Sequence, residues 1–198
     1  MKPHRAELLA RLWAEGRQFD AGQQDRLDRR RNLEPESAEL LNILVRTLAP
    51  PAVLELGTST GFSTIWLADS LEASGGTVLT VDNDAGRAAE ATANLGEADL
   101  VSGVDQRVAD AADVLAEQPD ESWEFVFLDA ERSEYVSYWP EIDRILSPGG
   151  LLVVDNCVSH ADQVADFRAL VGARTDYRQT LVPVGAGLLF ISKDRDAA

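Results

Sequence analysis

The stretch Val53-Leu54-Glu55-Leu56-Gly57-Thr58-Ser59-Thr60-Gly61-Phe62-Ser63 passes from an apolar strand through a glycine turn directly into a helix. It constrains the fold more than any other segment, because a second apolar strand, Thr77 to Val81, ends in Asp82, 25 residues beyond Gly57. In an open α/β sheet this puts a turn that lets a ligand approach the backbone beside a carboxylate that can accept hydrogen bonds from ribose hydroxyls. The spacing is Gly-x-x-x-Gly, not Gly-x-Gly-x-x-Gly. A pyrophosphate needs the tighter glycine turn and a bare helix N-terminus, so the pattern favours a nucleoside without phosphates over a dinucleotide.

Downstream of Ala52 the hydrophobic pattern alternates between strand and helix periods. It predicts strands near 52–56, 77–82, 104–108, 123–129, 149–155, 176–182 and 186–192, and helices near 61–72, 84–95, 111–117, 133–146 and 160–171. Ser147-Pro148-Gly149-Gly150 marks a turn into the fifth strand. Strands alternating with helices imply a mostly parallel sheet covered on both faces. The last two strands are joined by only Pro183-Val184-Gly185, too short for a crossover helix, so they form an antiparallel hairpin. Ahead of the sheet, residues 5–19 and 36–48 carry apolar residues at helical spacing, and Pro50-Pro51 ends the second of these helices. The division is a helical extension over residues 1–50 and a ligand-binding domain over 51–198. Trp13 and Phe19 in the extension are candidates for contact with a second subunit, whereas Trp66, Trp123 and Trp139 fall in regular elements and read as core.

Charge narrows the partners. The formal net charge is −16; residues 1–50 hold nine Lys/Arg against eight Asp/Glu, and the remainder nine against twenty-six. So acidic a body disfavours phosphate backbones and therefore nucleic acid. Only two of the eighteen basic residues are Lys, a bias compatible with high salt or with genomic base composition. The run Arg26-Leu27-Asp28-Arg29-Arg30-Arg31 reads as a solvated or ion-paired face, or as a cationic lid or dimer contact. A single cysteine, Cys157, excludes an intramolecular disulfide and fits a reducing, cytoplasmic compartment. No apolar run is long enough for a membrane span, and the N-terminus lacks a signal-peptide core.

Four carboxylates fall at strand ends, where ligands bind in such sheets: Asp82, Asp110, Asp129 and Asp155. Any one of them alone could equally cap a helix or start a turn. Asp129, Asp155 and Asn156 bring two carboxylates and an amide carbonyl to one edge, which suits a hard divalent cation such as Mg²⁺; a hydrogen-bonded Asp-Asn turn without metal explains the same pattern. His160 and Cys157 lie close by and read as a helix-start His and a small buried thiol.

The ordered set Arg31–Ser37, Leu54–Ser63, Val81-Asp82, Phe127–Tyr135, Leu146–Gly150, Val154-Asp155-Asn156 and Val182–Gly185 resembles the class I S-adenosylmethionine-dependent methyltransferases. Within them it is most similar to the small divalent-cation-dependent O-methyltransferases of the catechol and caffeoyl-CoA type, over about residues 31 to 192. The resemblance implies a Rossmann-like, doubly wound, seven-stranded α/β sheet with an antiparallel C-terminal hairpin and N-terminal helices. It assigns Gly57 and Ser59, with Glu55, Gly61, Ser63 and Leu33 nearby, to the methionine part of S-adenosylmethionine, Asp82 to the ribose, and Asn83, Asp110 and Ala111 to the adenine. Asp129, which also borders the cofactor, would join Asp155 and Asn156 as ligands of Mg²⁺ or a similar ion, beside a small hydroxylated, catechol-like acceptor. Homodimers are common in the family, and no nucleic-acid or membrane partner is implied. The chain departs from the family pattern at Arg132, where members commonly have Lys. Arginine stays protonated and cannot act as a general base, so Arg132 is placed with Asp129 among the catalytic candidates as a holder of an acidic substrate or a phenolate. A metal-independent methyltransferase and a noncatalytic S-adenosylmethionine-binding protein are the competing expectations.

Overall fold

A computed structural model describes residues 1–25 and 29–195 of the chain. Two helices, α1 (Pro3–Ala21) and α2 (Pro35–Leu48), each open with proline in the first turn, where its missing N–H goes unneeded. The chain then alternates through β1 (Ala52–Leu56), α3 (Phe62–Leu71), β2 (Thr77–Asp82), α4 (Ala85–Glu97), β3 (Val104–Val108), α5 (Ala111–Glu117), β4 (Trp123–Leu128), α6 (Tyr135–Ile145), β5 (Leu146–Val154), α7 (Ala165–Gly172), β6 (Tyr177–Val182) and β7 (Leu188–Lys193). The strands form one seven-stranded sheet in the order β3-β2-β1-β4-β5-β7-β6. All pairs are parallel except those of β7 with β5 and with β6, so the C-terminal hairpin is antiparallel as its short connection requires.

Chain direction across the sheet reverses between β1 and β4, which makes their carboxyl ends the switch point where a crevice opens. Val53, Leu54, Glu55 and Leu56 are all buried, as a central parallel strand covered on both faces demands. On one face Leu8, Leu9 and Leu12 of α1 and Leu41 and Val45 of α2 join Ile65 and Leu67 of α3 in a single apolar layer against Val53, Phe125 and Phe127. On the other, α5, α6 and α7 contribute Leu115, Trp139, Ile142 and Phe167, with Trp139 edge-on to both Phe167 and Tyr177. Trp123 and Trp139 are buried core residues, and Trp66 packs against the first layer.

Two details differ from the sequence pattern. The strand β5 begins at Leu146, which pairs with Trp123; pairing then skips to Phe125 with Leu151, so Pro148, Gly149 and Gly150 form an irregularity inside the strand. The helix α7 begins at Ala165, not near residue 160, because residues 157–159 donate their amides to the carbonyls of Gly187 and Ala186 on the β6–β7 connection. Trp13 packs within the chain, its ring 6.1 Å from that of Phe62.

Candidate functional site

A cleft of about 1060 Å³ lies over the carboxyl ends of β1, β2, β3, β4 and β5. Its floor at one end is the glycine turn. Gly57 has φ +110°, and a Cβ there would sit 2.2 Å from the carbonyl oxygen of Asp129. The turn after β1 and the end of β4 therefore touch backbone to backbone, a contact only glycine allows. Ser59 is also left-handed, with φ 46°, and its amide donates to Asp82 Oδ2 at 2.7 Å. The other oxygen of Asp82 accepts from the Asp84 amide at 3.0 Å, so one carboxylate fixes both the turn and the approach to α4. Asp84 and Asp110 cap α4 and α5 through amide bonds, and these amides hold the Asp84 carboxyl below the usual range.

The cleft roof comes from the link between α1 and α2. Asp20 accepts the amides of Arg30 and Arg31 at 2.7 and 3.0 Å, Ser59 Oγ donates to the Arg30 carbonyl at 2.9 Å, and Arg31 pairs with Glu131 at 2.7 Å. Arg30 also pairs with Glu90 and lies 4.7 Å from the Phe19 ring. Arg30 and Arg31 of the run are thus ion-paired and Arg29 donates from Nη2 to the Gln23 carbonyl; residues 26–28 lie outside the described residues.

At the opposite end Asp129, Asp155 and Asn156 converge. Asn156, with φ 67°, folds its amide back so that Nδ2 donates to Asp129 Oδ1 at 2.9 Å and to Asp155 Oδ2 at 3.0 Å. Burial pushes the Asp129 carboxyl well above the carboxylate range, and the neighbouring Asp155 charge adds to the rise while Arg31 opposes it. Burial likewise pushes Asp155 up to about 7, against the Asn156 amide and Arg132. Asp155 Oδ1 is buried without a hydrogen-bond partner. Two desolvated carboxylates with an open lone pair and an adjacent amide form a donor set that fits a small divalent cation, for which the Asn156 amide would turn over to present its carbonyl oxygen where Nδ2 now meets the two carboxylates. Among the described residues there is no group of three or more His, Cys, Asp or Glu able to hold a metal, so an ion here relies on the asparagine.

Of the residues singled out in the sequence, Leu33, Gly57, Ser59, Ser63, Asp82, Asn83, Asp110, Ala111, Asp129, Arg132, Asp155 and Asn156 all line this one cleft. Glu55 and Gly61 do not. Glu55 is fully buried beneath the turn, where it accepts hydroxyl bonds from Ser63, Thr64 and Thr80 at 2.5–2.7 Å. Gly61 faces α4, where a Cβ would lie 3.1 Å from that of Ala91. Both are supports for the turn and not walls of the cleft. Sequence reasoning passed over Gln163, whose Oε1 accepts from Arg132 Nε at 2.7 Å. Tyr138, one helical turn beyond Tyr135 on α6, is largely buried and also lines the cleft.

This geometry agrees with the comparisons to known proteins. The sequence profile described as O-methyltransferase matches residues 12–172. A catechol O-methyltransferase of Niastella koreensis is 30% identical over 166 residues, covering 76% of this chain and 75% of that protein. Among solved structures, the O-methyltransferase from Bacillus cereus in complex with S-adenosylhomocysteine superposes with a TM-score of 0.77 at 24% identity, covering 98% of this chain and 92% of that one. The O-methyltransferase TomG of Streptomyces achromogenes, in complex with S-adenosylmethionine, gives the same score and identity over 98% and 91%. The chain belongs to the O-methyltransferase family and is a class I, S-adenosylmethionine-dependent methyltransferase. Among the described residues no helix is long and apolar enough to cross a membrane.

Proposed function

We propose that the protein transfers the methyl group of S-adenosylmethionine to a hydroxyl of a small catechol-like acceptor, with a divalent cation such as Mg²⁺ held by Asp129, Asp155 and Asn156. The observation that carries the reading is the meeting of these three side chains, with Asp155 Oδ1 buried and partnerless, in the same cleft as the Gly57–Ser59 turn and Asp82. The catechol O-methyltransferase relative supports the acceptor class.

The chain's own residues have mainly to align two reactants, and alignment of bound partners removes on the order of 7–11 kcal/mol of barrier. Gly57 and Ser59, with Leu33 and Ser63, face the methionine portion of the donor. Asp82 already accepts two amides on separate oxygens and has lone pairs left for the ribose hydroxyls. Asn83, Asp110 and Ala111 border the adenine, with Tyr138 on the same wall. When bound, the cation would lower the pKa of an acceptor hydroxyl and make it a better nucleophile. Arg132 cannot take that proton. We further propose a cytoplasmic homodimer, with residues 1–50 as a helical extension to a 51–198 catalytic domain and nucleic acid excluded as substrate by the acidic body.

The test is a divalent-ion titration of methyl transfer to catechol. Activity should vanish in chelator and return with Mg²⁺, and Asp129→Ala or Asp155→Ala should abolish both turnover and the ion response while S-adenosylhomocysteine still binds by calorimetry. Full turnover in chelator would rule out the cation.

A further inference from the structure

Arg132 and Gln163 form a pair for which neither the glycine turn nor the carboxylate cluster has a use. Arg132 stands in the short 3-10 turn Arg132–Glu134 between β4 and α6, and only 4% of it is exposed. Its Nε is fixed by Gln163 Oε1, yet its Nη2 is buried with no hydrogen-bond partner. A buried guanidinium donor left unsatisfied is costly, more so than a neutral one. An acceptor was close at hand, since Asp155 feels the positive charge of Arg132. Even so, Arg132 Nη2 and Asp155 Oδ1 make no bond to each other, and each is buried and partnerless in the wall of one cleft.

The cause lies in the segment after β5. Its amides are committed to Gly187 and Ala186, the helix is delayed to Ala165, and the intervening residues curl back with Gln163 N bonded to the His160 carbonyl. Gln163 is thereby brought onto Arg132, 31 residues away in sequence. The grip at Nε fixes the guanidinium in the cleft wall with Nη2 unsatisfied, and a planar guanidinium held this way can receive an oxyanion that enters beside it.

We propose that Arg132, positioned by Gln163, is the oxyanion site of the acceptor pocket: the hydroxyl to be methylated is taken up as its conjugate base, its proton released to solvent, and the charged oxygen held by Nη2. This rests on reading the cleft as a methyl-transfer site for a catechol-like acceptor. A permanently charged arginine cannot take a proton as a neutral lysine can; it selects an acceptor already ionised. The groups whose charge bears on the same position are Asp129 and Asp155 at the ends of β4 and β5, Arg31 and Glu34 between α1 and α2, Tyr135 of α6, Glu131 and Glu134 beside the 3-10 turn, and Cys157 and His160 after β5. They are unchanged in the comparison that follows, so their effect cancels.

The experiment uses 4-nitrocatechol, whose ionised form absorbs at longer wavelength, titrated against pH on the full-length protein saturated with S-adenosylhomocysteine in chelator. In the wild type the ionisation midpoint of the bound probe should fall below that of the free probe by about one to three pH units, the usual effect of an adjacent opposite charge. Arg132→Met should return the midpoint to within a few tenths of the free value. Arg132→Lys should keep part of the shift, and Gln163→Leu, which leaves the charge but frees its direction, should also give an intermediate value. Calorimetric binding of S-adenosylhomocysteine reports whether each variant is folded; if Arg132→Met is not, the lysine and Gln163 variants decide. The same midpoint in the wild type and the folded variants would overturn the proposal. Repeating the titration with Mg²⁺ separates it from the reading on which it rests. A midpoint that depends on Arg132 and ignores Mg²⁺ removes the cation and keeps the oxyanion site, the opposite pattern does the reverse, and no saturable binding of the probe overturns both.

Discussion

Glu55 is fully buried under the glycine turn and accepts three hydroxyl bonds, yet burial outweighs them and pushes its carboxyl from 4.5 up to about 7. A folded-state value above the unfolded one means that the folded chain binds the proton more tightly. The resulting stabilisation is complete below about pH 4.5 and is lost as pH rises through about 7. The loss is of order 3 kcal/mol. Acids held low, Glu72 at about 2 and Asp84 and Asp176 below their usual range, act in the opposite sense only at lower pH, so they do not mask this window. The metal-free protein should therefore melt at progressively lower temperature from pH 5 to 7.5, and Glu55→Gln should flatten a clear part of that slope; an unchanged slope would assign the dependence to Asp129 and Asp155 alone. Glu55 also illustrates what single residues reveal in a sequence. Its motif was plain, but strand alternation cannot tell a residue facing the ligand from one beneath it. Gln163 carried no signal at all, because its partner is set by a loop path that leaves no periodicity.

Beside the leucines that α1 buries, its main polar anchor is Arg5. Arg5 is fully buried, with Nε on the Ala98 carbonyl at 2.8 Å and Nη1 within 2.9 Å of both Asp69 and Glu72. It joins α1 to α3 and to the end of α4, and so braces the roof that passes over Ser59. Asp69 is itself buried and keeps Arg46 when Arg5 is lost, which softens the usual penalty of about 3–5 kcal/mol for stranding a buried charge. Arg5→Met should cost about 3 kcal/mol in urea unfolding, near the low end of that range, and should weaken S-adenosylhomocysteine binding less than it weakens stability. An equal loss in both would mean that α1 belongs to the binding surface and does not merely support it. At this scale the sequence was most legible: all seven strands and the hairpin follow from apolar runs and connection lengths. It misled where tertiary bonds override local signals. Ser147-Pro148-Gly149-Gly150 reads as a turn, but Leu146 resumes pairing with Trp123 ahead of it. The start of α7 is likewise delayed by bonds to the β6–β7 connection.

Across the whole molecule, 34 acidic residues face 18 basic ones, and the described arginines are largely committed to ion pairs with carboxylates. Two electrostatic effects then compete when salt is added. Screening weakens the surface pairs, but exposed pairs are worth only about 0–1 kcal/mol each, and the buried Arg5–Asp69 pair is little screened. Screening also weakens the mutual repulsion of a −16 body, a term that acts on every carboxylate at once. The repulsion should dominate, because the unpaired negative charges outnumber what the pairs can neutralise. In chelator at neutral pH, raising NaCl from about 20 mM to about 0.5 M shortens the screening length from about 20 Å to about 4 Å and should raise the melting temperature by several degrees. Chelator is essential, since a divalent ion at Asp129 and Asp155 would stabilise the fold by binding and hide the effect. A melting temperature that falls with NaCl would show that the ion pairs of the roof and of α1 contribute more than the repulsion they offset.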